Sequence, residues 1–271
     1  MTAYMEHKDL ANETIGEVRA RQIADGVRRV LDAVASAEAD AGRAHGAVRL
    51  LAATKTRDVG EILAAVDAGV RMIGENRPQE VQAKAERLGL RLAERGLTLG
   101  ASVDGDSSDG HVPFHLIGQL QSNKIGKVLP YVDAIESVDS IELAEKIARR
   151  AVMRGVSVGV LLEVNESGEA SKSGCEPSHA IDLAKRIGAM GGLELRGLMT
   201  VGAHVDDERV VRGGFAHLRR TRDQILASGA PGTERCTELS MGMTGDMAAA
   251  IAEGSTIVRV GTAVFGPRDF V

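Results

Sequence analysis

The first residue of this sequence with chemistry to offer is a lysine at the tip of an apolar run. Lys55 closes the stretch 48–54 (VRLLAAT), and the segment after it, TRDVGEILAAVDAG, has the apolar spacing of a helix. An amine at the end of a buried strand, near apolar walls or other cations, loses proton affinity. It then becomes nucleophilic near neutral pH and can condense with an aldehyde. The alternative is a surface lysine that begins a helix.

The complement lies far along the chain, in 238–247 (ELSMGMTGDM) and 258–266 (VRVGTAVFG). Ser240, Met241, Gly242 and Thr244 gather at one strand end, and Gly261 with Thr262 at another. Loops after the last two strands of a barrel commonly hold a phosphate dianion with backbone N–H groups and a helix N-terminus. The stretch GDMAAAI after Thr244 offers such a helix. Arg259 lies two residues before Gly261, so strand alternation points both to one face. An inward arginine needs an acceptor, which is either the ring nitrogen of a pyridine or a strand carboxylate such as Glu163 or Glu238. Amine, arginine and anion cradle together point to a phosphorylated aldehyde, pyridoxal 5'-phosphate.

Weaker candidates surround these. Gly74 in IGENR would let the backbone turn close to a ligand, and Asn76 either hydrogen-bonds a phenolic oxygen or caps the next helix. His115 is a ligand contact or a satisfied core residue. Met199, at the end of a later strand, is packing or a cofactor contact. No calcium loop or P-loop is present, and the G-x-S-x-G match at 155–159 runs into a strand instead of following one, so no metal is expected and hydrolase and nucleotide-triphosphatase readings fall away.

The elements that must carry these residues alternate regularly. A helix over 12–37, capped by Asn12 or Thr14, precedes strands at 48–54, 70–75, 114–119, 134–138, 157–165, 193–201, 237–241 and 256–265. Helices are predicted between them at 58–68, 77–89, 122–129, 139–153, 177–189, 206–228 and 244–253. Strands filled by Val, Ile and Leu are covered on both sides, and sequential βα units need right-handed crossovers. The expected fold is a single α/β (β/α)8 TIM barrel over 1–271, with an open doubly wound sheet as the alternative. The last strand is expected to run to Gly266 with no eighth helix after it, the gap being covered by the N-terminal helix. Residues 1–11 read as a flexible tail. The Gly-, Ser- and Asp-rich 90–113 reads as an inserted loop, either a solvated insertion or a lid.

Composition narrows the class. With 271 residues, a formal charge of -5, no Trp, two Tyr and four Phe, the chain offers no basic, aromatic-studded surface for nucleic acid. Two cysteines without C-x-x-C spacing fit a reducing cytoplasm, and no run of about 18 apolar residues is available for a membrane helix.

Six blocks in order, AATKTRDVGEI, IGENRPQEV, FHLIGQLQSNK, LRGLMTVGA, ELSMGMTGDMAAAIAEGST and VRVGTAVFG, resemble the pyridoxal phosphate homeostasis proteins, relatives of the alanine racemase N-terminal domain. The resemblance implies a barrel that holds pyridoxal phosphate as an internal aldimine on Lys55. It also implies phosphate contacts at Ser240, Gly261 and Thr262 and a place for Arg259 near the pyridine nitrogen. A guanidinium does not readily give up a proton, so it would keep that nitrogen unprotonated and weaken the cofactor as an electron sink. The second acid/base of alanine racemases is a tyrosine from a C-terminal domain that this sequence lacks. Tyr4 and Tyr131 are poorly placed to replace it. The expectation is therefore a monomeric, cytoplasmic carrier serving vitamin B6 homeostasis and PLP-dependent apo-enzymes; a weak amino-acid racemase and a Schiff-base aldolase are the alternatives. Arg77 stands where the family usually has an aromatic residue and Thr244 where it has serine, and 90–113 is longer than is common there.

Overall fold

The computed structural model describes residues 8–101, 110–169, 173–205 and 207–267. Eight strands close into an all-parallel barrel: β1 (Arg49–Ala53), β2 (Ile73–Glu75), β5 (Phe114–Leu116), β6 (Ala134–Val138), β7 (Val158–Glu163), β8 (Leu193–Met199), β9 (Glu238–Ser240) and β10 (Ile257–Val260), in the order β1-β10-β9-β8-β7-β6-β5-β2. Closure falls between the first and last strands, with Leu51 opposite Arg259 and Ala52 opposite Val260. On its other side β1 pairs Ala53 with Gly74 of β2.

Alternation along each strand separates two interiors. Residues such as Leu50, Ala52, Val160, Leu162, Val258 and Val260 join the shell core beneath the helices. Their neighbours face the lumen, where two small apolar clusters form, Leu51, Met72 and Ile257 with Ile117, and Ala134, Leu161 and Met199 with Val201. The rest of the lumen is polar. Gly74 belongs here for a packing reason that differs from the predicted ligand turn: a Cβ on it would lie 2.6 Å from Leu51 Cδ2 and 3.1 Å from Ile117 Cγ2.

The shell helices are α1 (Glu17–Asp40), α2 (Val59–Asp67), α3 (Pro78–Ala93), α4 (Ile125–Val128), α5 (Ile141–Arg154), α6 (Ala180–Gly188), α7 (Glu208–Ala227), α8 (Met247–Ala252) and α9 (Thr262–Phe265). The expected strand 256–265 is therefore wrong in its second half. At Gly261 the backbone leaves the extended region (φ -114, ψ -68), and Gly261 O accepts from the N–H groups of Val264 and Phe265, so the apolar AVF is one helical turn. The N-terminal helix does cover this end of the barrel. α1 buries Ile23, Val27, Val30 and Val34 on one stripe and packs on α2, α8 and α9. Gly26 permits the approach, since a Cβ there would meet the Val264 carbonyl oxygen at 2.2 Å.

Three other boundaries shift. α1 starts at Glu17 behind Gly16, which makes no side-chain cap, while Asn12 bonds to Thr14 O and Asp58 and Thr14 gives only its backbone N–H to Asn12. In the expected tail, 8–11 are tied down: Leu10 is buried, its carbonyl accepts from Val59 N–H, and Lys8 pairs with Glu61; residues 1–7 lie outside the described residues. Within 90–113, α3 runs on to Ala93. β3 (Thr98–Leu99) and β4 (His111–Val112) then pair in parallel, and 102–109 lie outside the described residues. Among the described residues no helix is long and apolar enough to cross a membrane.

Candidate functional site

The C-terminal mouth of the barrel collects the predicted residues, and a polar column in the lumen supports them. At its base Arg49 pairs with Glu238, and Glu194 with Arg196 and Arg235. Higher up, His115 Nδ1 and Glu136 Oε1 are 2.7 Å apart. Ser240 donates to Glu136 Oε2 at 2.6 Å and accepts from Arg259 Nη1 at 2.7 Å, while Arg259 Nη2 donates to the Thr200 carbonyl at 2.8 Å. All five side chains from His115 to Arg259 are buried. Arg259 thus faces the lumen as its alternation predicts, and its hydrogen bonds go to Ser240 and Thr200, not to Glu163 or Glu238. His115 is a partner of Glu136 deep in the column.

Charge in this column is balanced. Burial opposes ionisation of Glu136, but the hydrogen bond and charge of His115, the charge of Arg259 and the Ser240 hydroxyl outweigh it and hold its carboxyl below the usual range. Burial pulls Arg259 down, and Glu136, Glu163 and Asp246 act in the opposite sense. A guanidinium retains its proton under such competition. It carries five N–H donors and gives two of them to Ser240 and Thr200.

Lys55 leaves β1 in a constrained turn. Thr56 has φ 65, a left-handed conformation that costs a β-branched residue roughly 1–2 kcal/mol. Contacts on both sides of Lys55 hold it there: Lys84 Nζ donates to Thr54 O at 2.9 Å, Thr54 Oγ1 to Glu75 Oε1 at 2.6 Å, and Thr56 N–H to Glu80 Oε2 at 2.7 Å. Lys84 also bonds Glu75 and Glu80, at 2.7 and 3.0 Å, in a triad closed to solvent. Next along, Asp58 caps α2 in a capping box with Glu61. Lys55 is itself half-buried.

Around this lysine the other predicted residues fall as follows. Gly261 lies beside Ala53, so a Cβ on it would stand 3.5 Å from that of Ala53. Thr262 is exposed on the first turn of α9. Asn76 is not a cap, because Arg77 takes that position and Pro78 opens α3; its Oδ1 is buried without a partner among the described residues. Met199 sits in the lumen with Leu161 and Ala134. Met241 packs in the shell core, so its backbone alone is left for the mouth. Gly242 turns the chain at φ +99, where a Cβ would meet that of Ala250 at 2.6 Å. α8 begins later than predicted, at Met247, because Asp246 Oδ1 accepts from Met243 N–H and forms a turn first.

Sequence reasoning missed three carboxyl groups here. Glu136 interrupts an otherwise apolar strand, a signal that alternation turns inward. Glu75 stands in a run noticed only for its glycine and asparagine. Glu163, considered above only as a partner for Arg259, ends β7 on the lumen side with Oε2 buried and unpartnered among the described residues. Burial pushes it up to about 7; Asp139 adds to the rise and Arg259 opposes it.

Residues 31–269 match the alanine racemase N-terminal domain family. The chain is 38% identical to a pyridoxal phosphate homeostasis protein of Vibrio cholerae over 250 residues, 92% of this chain and 98% of that protein. Among solved structures it is similar to a protein from Bifidobacterium adolescentis, at 73% identity and a TM-score of 0.92 over 95% of this chain and 100% of that one. It is also similar to PipY of Synechococcus elongatus PCC7942 with PLP bound, at 32% identity and a TM-score of 0.67 over 86% of this chain and 100% of that one.

Proposed function

We propose, from the premise that this chain belongs to the pyridoxal phosphate homeostasis protein family, that it binds pyridoxal 5'-phosphate at the barrel mouth and serves intracellular vitamin B6 homeostasis as a carrier. Pyridoxal phosphate supplies an aldehyde that links reversibly to an amine and a dianion that anchors it. The chain's residues fit such a group. Lys55 offers the amine from a turn held rigid on both sides. Arg259 keeps N–H donors for a ring nitrogen, and Asn76 Oδ1 lacks a protein partner for a ligand hydroxyl. Gly242, Gly261 and Thr262 leave backbone and hydroxyl groups for the phosphate, with Met199 as an apolar wall. Ser240, being held between Glu136 and Arg259, orients the arginine.

The observation that carries this reading is Arg259. A buried guanidinium neutralised by Glu136 donates its hydrogen bonds and retains its protons, so a ring nitrogen against it stays unprotonated. That disfavours robust carbanion chemistry and suits holding and release. We infer a single-domain, cytoplasmic monomer that passes its cargo to PLP-dependent apo-enzymes. Mixing the purified protein with pyridoxal phosphate should give a long-wavelength absorption band and, after borohydride, a label on Lys55. Lys55→Ala should give neither, and a Lys55→Ala protein that kept both the band and a trapped lysine would refute the assignment.

A further inference from the structure

Glu163 ends the strand opposite the one that Lys55 follows. In the barrel order β7 lies four strands from β1 in either direction, so the two strand ends are diametrically opposed. Glu163 is 6% exposed, on the lumen side with Leu161, and its Oε2 has no partner among the described residues. The charged and titratable groups around it are Asp139 after β6, Arg259 on β10 and Cys175, whose N–H donates to the Glu163 carbonyl, with Glu136 further down the column. A buried carboxyl with one oxygen unpartnered among the described residues, beside a second carboxyl, is arranged to meet an ammonium group.

We propose that Glu163 is the acid/base group through which a primary amine, such as an amino acid or the lysine side chain of an acceptor protein, takes the aldehyde carbon from Lys55. This rests on the reading of Lys55 and its cargo given above. Glu163 removes one proton from the incoming ammonium. The freed nitrogen bonds to the carbon that Lys55 holds, and Glu163 passes its proton to the Lys55 nitrogen and takes a second one from the newly attached nitrogen. The bond from the carbon to the Lys55 nitrogen breaks as the new carbon–nitrogen double bond forms, and that second proton goes to the departing lysine amine. Atoms and charge balance, and no oxidant or reductant is needed. Such a base is most effective when its affinity for a proton lies near the working pH, and Glu163 is held at about 7.

The test uses protein loaded with pyridoxal phosphate, glycine as the amine, and borohydride quenching followed by mass spectrometry of the Lys55 peptide. The ratio of wild-type to Glu163→Gln release rates should be near unity below pH 6 and tenfold or more at pH 8. Asp139→Asn, which removes a charge that raises Glu163, should move that inflection to lower pH. Without cofactor, the infrared absorption of protonated carboxyl groups at pH 6 should be weaker in Glu163→Gln than in wild type, with the share of Glu75 remaining. Equal release rates for wild type and Glu163→Gln at every pH would overturn the proposal while leaving cofactor binding intact. Failure of the wild-type protein to take a label on Lys55 would overturn both.

Discussion

Replacing Lys84 with methionine should destabilise this barrel in a pH-dependent way. The ammonium group is fully buried and spends its three N–H bonds on Thr54 O, Glu75 Oε1 and Glu80 Oε2. Methionine fills much of the same volume, so packing changes little, but two carboxyl groups remain in a site closed to water. Removing one partner of a buried ion pair typically costs about 3–5 kcal/mol. Glu75 is already raised to about 7 by burial, with Lys84 pulling it down and Glu80 pushing it up, so loss of the lysine raises it further.

The sign follows from linkage. A carboxyl whose folded pKa exceeds its unfolded value keeps its proton in the native state, so the fold is least penalised below the unfolded value and loses stability as pH rises toward the folded one, by about 1.4 kcal/mol per unit of separation. Urea unfolding should therefore show Lys84→Met less stable than wild type by about 3–5 kcal/mol at pH 8 and by much less at pH 5. Neutralising the whole triad, with Glu75→Gln and Glu80→Gln added, should recover part of the loss at pH 8. A deficit under about 1 kcal/mol at pH 8, or one equal at both pH values, would refute the assignment of Lys84 as the counter-charge of the pair.

Two further outcomes rest on packing and burial. Gly26→Ala sets a Cβ against the Val264 carbonyl oxygen at 2.2 Å, backbone against backbone, so α1 must lift from α9; the cost should be about 1–3 kcal/mol in a thermal melt despite the better helix propensity of alanine. Burial pushes the thiols of Cys175 and Cys236 up to about 12, and a disulfide reagent at pH 8 should leave both unmodified until the protein is unfolded.

Where the sequence was legible, one periodicity did the work, and where it was not, the missing information was a partner far along the chain. Lys55 and Arg259 could be placed because a strand end and a period of two say which way a side chain goes. The later residues of 256–265 could not, because Val264 and Phe265 are equally apolar in a strand and in the helical turn that Gly261 starts. Lys84 is the sharper case. With Glu80 four residues before it on α3, it has the spacing of an exposed, weakly stabilising ion pair, yet both side chains are almost wholly shut away from solvent. What turns that surface pattern into a buried clamp is Glu75 on β2 and the open backbone groups of Thr54 and Thr56, reached only when α3 folds back over the first strand. The left-handed Thr56 shows why the clamp sits there. A β-branched residue holds that conformation only where its surroundings over-determine it, and here Glu80 takes its N–H while Arg57 N–H closes the turn onto Thr54 O. The buried charges and the strained residue thus form one device, and it fixes the backbone on both sides of the single residue the proposed function cannot spare, Lys55.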